Sequence, residues 1–153
     1  MSLKEYREFF AGQSAKAEKE GTEIRITRKR HFAGSLIPYY CIFGMEKDAF
    51  IEYCVGLPKE CDEDDEVSRL TTFGILQELA ACGSIEKVIR ISCGKTVAVN
   101  IPEGCLNFFV FVESSPAFAF SNSISLCPGE KHDFDIITAY HWKNGMSVSL
   151  TGC

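Results

Sequence analysis

Along most of the chain apolar and polar positions alternate with the period of a β-strand, and each alternating run ends in turn residues. Ile24 and Ile26 alternate with Glu23, Arg25 and Thr27, as in a half-exposed strand. The stretch LIPYYCIF, Leu36 to Phe43, is rich in β-formers on both parities, and Pro38 within it predicts a sheet edge or a bulge. Asp48 to Val55 is a further short strand candidate. Lys87 to Cys93 puts Ile89, Ile91 and Cys93 on one parity. Gly94-Lys95 then turns the chain into Thr96–Ile101, with Val97, Val99 and Ile101 on one face.

After the turn signal Pro102-Glu103-Gly104 comes the most apolar segment, Leu106 to Val112. Leu106, Phe108, Val110 and Val112 form one face and Phe109 and Phe111 the other, so the strand must be central or covered on its second side by a helix. Ala117 to Leu126 alternates cleanly, Phe118, Phe120, Ile124 and Leu126 against serines and alanine. Pro128-Gly129-Glu130 is another turn. Lys131–Tyr140 and Met146–Leu150 close the series, joined around Asn144-Gly145, a hairpin signal.

Two segments break the alternation. Leu3, Tyr6, Phe9 and Phe10 fall at helical spacing within residues 2 to about 20. Between Lys59 and Ser84 an acidic run leads into Val67, Leu70, Phe73, Leu76 and Leu79, which recur at three and four residues. Asp62 or Asp64 is a credible N-cap, and Gly83 a natural C-terminal stop. The fold class that follows is mainly β: an antiparallel, jelly-roll-like β-sandwich of seven to nine short strands, with one inserted α-helix. Residues 1–21 read as an N-terminal helix or flexible arm, and 22–153 as a single domain with its helical insertion at about 59–84.

A length of 153 residues supports one domain with its own core, and 46% hydrophobic against 24% charged residues excludes a disordered chain. A net charge of −5 argues against nucleic acid as a partner, since phosphate binding needs a basic surface. The one basic cluster, Arg25, Arg28, Lys29, Arg30 and His31, is read as a solvated strand edge. The N-terminus shows no signal peptide and no run reaches transmembrane length, so the expected location is cytoplasmic, with an upstream region left open. The eight cysteines (Cys41, Cys54, Cys61, Cys82, Cys93, Cys105, Cys127 and Cys153) include no Cys-x-x-Cys pair. Most are read as small apolar fillers, with Cys153 the most exposed.

The ordered set RKRHFAGSLIPYYCIF, GKTVAVNIPEG, LNFFVFV and SNSISLCPGEKHDFDI resembles a template shared by small domains of uncharacterised proteins from low-GC Gram-positive bacteria. The match covers about Thr22 to Leu150. It departs where Gly44-Met45-Glu46-Lys47 replaces the usual Asp-Gly turn, and in the helical insertion. The resemblance implies a small jelly-roll-like sandwich without known catalysis.

Candidate chemistry is sparse. G-x-S-x-G, H-E-x-x-H and Walker A patterns are absent, and Asp62–Glu66 lacks the order of a calcium loop. A thiol nucleophile needs a nearby base, and Cys127 with His132 across the Pro-Gly turn is the nearest approach to one. His132 or His141 are the candidates for a metal. Exposed aromatics offer a different chemistry: Tyr140, His141 and Trp142 lie together, and Tyr39 lies near a proline bend. The leading reading is a non-enzymatic binding or protein-interaction module that needs no cofactor and no metal, with Tyr140, His141, Trp142 and Tyr39 as its ligand-binding candidates. It would work through a protein partner or a shallow ligand face, and its oligomeric state is left open. The alternatives are a thiol- or metal-dependent enzyme using Cys127, His132 and His141, and a carbohydrate-binding domain.

Overall fold

The computed structural model describes residues 3–15, 22–31, 36–56, 74–101, 107–113, 118–126, 132–141 and 145–152. The protein is a β-sandwich with a helical layer on one side. Helix α1 is Leu3–Ala15, followed by strand β1 (Thr22–Arg28) and β2 (Tyr39–Phe43). Helix α2 is Lys47–Gly56, and residues 74–81 form α3. Then come β3 (Lys87–Ile91), β4 (Thr96–Ile101), β5 (Asn107–Val112), β6 (Ala119–Phe120), β7 (Ile124–Ser125), β8 (His132–His141) and β9 (Gly145–Gly152). Sheet A has the order β4-β1-β8-β9, and sheet B the order β3-β2-β5-β6, with β7 also on β5. Pairing is antiparallel throughout except between β1 and β8, which run parallel.

The inner core joins the two sheets through alternate residues of each strand: Ile24 and Ile26, Tyr39, Cys41 and Phe43, Phe108, Val110 and Val112, Phe134 and Ile136. Phe108 stacks on Phe43 at 4.9 Å and meets Phe134 edge-on at 5.2 Å, which ties the middle of sheet B to sheet A. The opposite parity of sheet B builds a second core under the helices. There Tyr40, Ile42, Val88, Phe109 and Phe111 pack against Phe10, Phe50, Ile75, Leu76 and Leu79. The two apolar faces of the Leu106–Val112 segment therefore face two different layers, as their sequence requires. The helix predicted at 59–84 supplies part of the cover through residues 74–81; its proposed N-cap residues lie outside the described residues. Gly83, at φ +80°, takes the left-handed turn that ends it, with the Ser84 amide donating to the Leu79 carbonyl at 3.0 Å.

Several local expectations are corrected. Asp48–Val55 lies in helix α2, because Phe50 and Tyr53, three apart, both turn toward sheet B; period two and period 3.6 are hard to separate over eight residues. Pro38 does not mark an edge. It stands just before β2, which lies between β3 and β5. The basic strand β1 is likewise interior, between β4 and β8. The expected single strand across Ala117–Leu126 is split into β6 and β7 around Ser121, whose buried Oγ accepts the Val110 amide at 2.7 Å where a strand neighbour would otherwise bond it. A second inserted helix, α2, joins the one anticipated, and α1 packs on sheet B through Phe10, stacked on Tyr40 at 5.5 Å.

Phe50 is fully buried and its ring meets Phe109, Phe111 and Phe120 within 5.1–6.1 Å. Phe50→Ala should therefore destabilise the protein by about 3–5 kcal/mol. A urea midpoint close to that of the unsubstituted chain would show that the helical layer is not part of the cooperative core.

Candidate functional site

The strand directions gather at one end of the sandwich the C-terminus of β1, the N-terminus of β2, the β3–β4 turn, the start of β6 and the tip of the β8–β9 hairpin. Tyr39, Tyr140 and His141, three of the four ligand-binding candidates, lie at this end; Trp142 lies outside the described residues. They do not share a surface. Tyr140 is 61% exposed and His141 exposed, whereas Tyr39 is fully buried between the sheets. An interior Tyr39 offers no face to a sugar ring.

What Tyr39 does instead is hold a buried cation. Ile24, Ile26 and Arg28 share the inward parity of β1, so the guanidinium of Arg28 enters the sandwich and is 1% exposed. Its Cζ sits 3.5 Å from the centroid of the Tyr39 ring. Nη1 donates to the Ile91 carbonyl at 3.0 Å, and Nε and Nη2 donate to His31 Nε2 at 3.1 and 2.9 Å. Because a guanidinium only donates, the His31 Nε2 must accept, which fixes this imidazole as the neutral Nδ1–H tautomer. The His31 ring stacks on Tyr39 at 5.5 Å. The Tyr39 hydroxyl bonds Thr138 Oγ1 at 2.8 Å and Met146 Sδ at 3.4 Å, reaching β8 and β9. Burial pulls the Arg28 pKa below its ordinary value, opposed by Tyr39 and Cys93, and burial pushes the Tyr39 phenol up.

The backbone around this plug is equally constrained. The Arg28 amide donates to the Lys95 carbonyl and the Gly94 amide to the Arg28 carbonyl, both at 2.9 Å. Gly94 has φ +75°, and a Cβ there would stand 2.9 Å from the Arg30 side chain. The period-two alternation already placed Arg28 inward; its charge concealed that in the sequence, and the reading of the cluster as a solvated edge is corrected for this residue. Lys29, Arg30 and Lys95 are exposed, with Lys29 3.8 Å from Asp135.

The residues of the enzymatic alternative are dispersed. His132 and His141 occupy opposite ends of β8, nine residues apart in the strand, or about 30 Å. A single site using both histidines is therefore not formed. His132 lies beside Glu23, Arg25 and Asp133 in a shallow hollow at the far end of the sandwich, and Cys127 lies outside the described residues. Among the described residues no three His, Cys, Asp or Glu side chains converge as metal ligands, and no helix is long and apolar enough to cross a membrane.

Four cysteines are described, all as free thiols. Burial pushes Cys41 up to about 12 and Cys54 up to about 11. Exposed Cys82, held against Ser84 Oγ at 3.1 Å, is lowered by that hydrogen bond.

No protein-family model and no curated protein matches this sequence. Among solved structures, the T6SS lipoprotein TssJ1 from Pseudomonas aeruginosa is similar over 88% of this chain and 97% of its own, at 9% identity and a TM-score of 0.46. Serratia marcescens Lip, a membrane-bound component of the Type VI Secretion System, is similar over 86% of this chain and 95% of its own, at 11% identity and a TM-score of 0.40. Neither likeness carries a functional assignment.

Three outcomes test the plug and the thiols. Arg28→Met keeps the aliphatic stem but strips the Ile91 carbonyl and His31 of their donor, and should cost about 1–3 kcal/mol by chemical denaturation. An unchanged midpoint would mean that the plug adds no stability. For the thiols, the native Cys41 pKa of about 12 lies above the ordinary 9.0, so the unfolded chain releases this proton first as pH rises. Stability should therefore fall above about pH 9, by up to ~1.4 kcal/mol per pH unit for each such group, and Cys41→Ala should flatten that slope. Peptide mapping after brief alkylation at pH 8 should find Cys82 modified before Cys54, and Cys41 only after unfolding.

Proposed function

We propose that this protein is a non-enzymatic protein-binding module that engages its partner with the loop-bearing end of the sandwich. The observation that carries the reading is the composition of that end. Three of the four exposed large hydrophobics found among the described residues, Leu36 (95% exposed), Tyr140 (61%) and Phe118 (40%), lie there. Exposed Lys29, Arg30 and Lys95 lie at the same end, Lys29 beside Asp135. Aromatic and aliphatic anchors rimmed by cations are what a protein interface uses, and rigid strands carrying varied loops are how sandwich domains present one. The Arg28–Tyr39 plug lies directly beneath, so the loops are presented by a fixed base. The cationic rim on a chain of net charge −5 selects a partner surface that is acidic around an apolar centre.

Site-specific photo-cross-linking tests this. A benzophenone side chain at position 36 or 140 should give one discrete protein adduct in cells, and the same group at Ala98, on the outer face of sheet A, should give none. Arg30→Glu should reduce the adduct about tenfold, equivalent to ~1.4 kcal/mol of binding. Equal labelling from all three positions, or none from 36 and 140, would overturn the reading.

A further inference from the structure

Both edge strands of sheet A are sealed by side chains reaching over from sheet B, but only over part of their length. On β4, Lys87 Nζ donates to the Asn100 carbonyl at 3.4 Å. On β9, the Asn122 side chain takes both backbone groups of Leu150: its Nδ2 donates to the Leu150 carbonyl at 3.1 Å, and its Oδ1 accepts the Leu150 amide at 2.8 Å. Leu150 therefore directs its N–H and C=O away from β8. By the period of two, Met146 and Val148 do the same. Among the described residues no hydrogen bond reaches these outward groups of Met146 and Val148.

This open edge lacks the usual protection. The strand GMSVSLTG holds no charged residue and no proline, which are the common means of keeping sheet edges apart. It is also self-complementary. Val148 is buried and Met146 half-buried on the inner side, while Ser147 and Ser149 are exposed on the outer side. With Leu150 already occupied by Asn122, Met146 and Val148 are the two successive outward positions left on the hairpin side of it; Gly152, of the same parity, lies beyond Leu150. One antiparallel self-pairing uses both on each copy without displacing Asn122. It sets Met146 opposite Val148 of a second copy, with the two Ser147 residues facing each other across the axis.

We propose that two copies of this chain associate through β9, pairing antiparallel about a two-fold axis at Ser147 and making sheet A continuous across the dimer. The interface forms about four N–H···O bonds. On its inner side each Met146 is covered by the other copy's Val148, and no like charges oppose each other. This pairing is independent of the loop-end partner proposed above, because it uses the lateral edge of sheet A.

Sedimentation equilibrium of the full chain tests it, using Ser147→Lys and Ser147→Glu. The Ser147 side chain is exposed and makes only a long 3.5 Å bond to the Ala139 carbonyl, so both variants should keep a melting temperature close to the unsubstituted one. The unsubstituted chain should dimerise below about 1 mM. Each variant, which sets like charges directly opposite each other, should shift to monomer, and an equimolar mixture of the two should recover the dimer. Ala98→Lys, on the far edge, should leave dimerisation intact. Hydrogen exchange adds a second readout: the Val148 amide should be protected in the dimer and exchange freely in Ser147→Lys. A monomer throughout the concentration range would overturn the proposal. So would a dimer indifferent to Ser147→Lys, or a mixture that stays monomeric.

Discussion

A strand that is apolar on both faces has to be covered twice, and β5 imposes this requirement on the whole molecule. Phe108, Val110 and Val112 demand a second sheet; Phe109 and Phe111 demand something else on the other side. The helices meet the second demand, and their order in the chain follows from it. Both α2 and α3 sit in the long connection between β2 and β3, strands that are hydrogen-bonded neighbours in sheet B. The chain leaves sheet B, crosses its outer face and returns to the adjacent position. Phe50, meeting Phe109, Phe111 and Phe120, is where the two demands are reconciled.

Polar side chains then join what apolar packing only brings near. Arg28 reaches from sheet A to the Ile91 carbonyl on β3, Lys87 from β3 to β4, and Asn122 from the β6–β7 link to β9. Each satisfies a backbone group on an edge strand, where no neighbouring strand is present to do so. Fully hydrogen-bonded side chains in these places fix the relation of the two sheets more narrowly than interchangeable apolar contacts can. The Arg28 arrangement also carries the loops: Gly94 and Lys95 are bonded to its backbone, and Tyr39 beneath it bonds toward the β8–β9 hairpin.

Most of the fold was legible in the sequence because alternation is a local property. The parities of Ile24 and Ile26, of Phe108 through Val112, and of Phe134 and Ile136 all point as the strands place them. Arg28 and Lys87 share the inward parity of their strands but were not read so, because solvation is the ordinary fate of a charged side chain, and only a tertiary acceptor such as the Ile91 or Asn100 carbonyl reverses it. The helical reading of 48–55 was lost because eight residues hold barely two turns. The candidate site was legible in part. Tyr39, Tyr140 and His141 were chosen as aromatics near turns, and nothing local distinguishes a tyrosine whose ring bears on a buried guanidinium, as Tyr39 does, from one that faces solvent, as Tyr140 does. The separation of His132 from His141 follows from β8 being one unbroken strand, which the reading of Lys131–Tyr140 as a single strand already implied.

The parallel pairing of β1 with β8 has a consequence for how the molecule comes into being. Ile24 pairs with His132, more than a hundred residues later. Sheet B and its helical cover draw only on residues up to Ser125, so during synthesis they can assemble while half of sheet A is still unmade. Until β8 and β9 emerge, the inner face of sheet B, with Tyr39, Cys41, Phe43, Phe108 and Val110, has only β1 and β4 to lie against. A nascent chain at that point has the residues to close one core but not the other, which waits for β8 and β9. Such long-range closure slows folding and leaves an apolar surface in need of shelter. A truncation before β8 would therefore do more than shorten the protein: it would hold the chain at that stage.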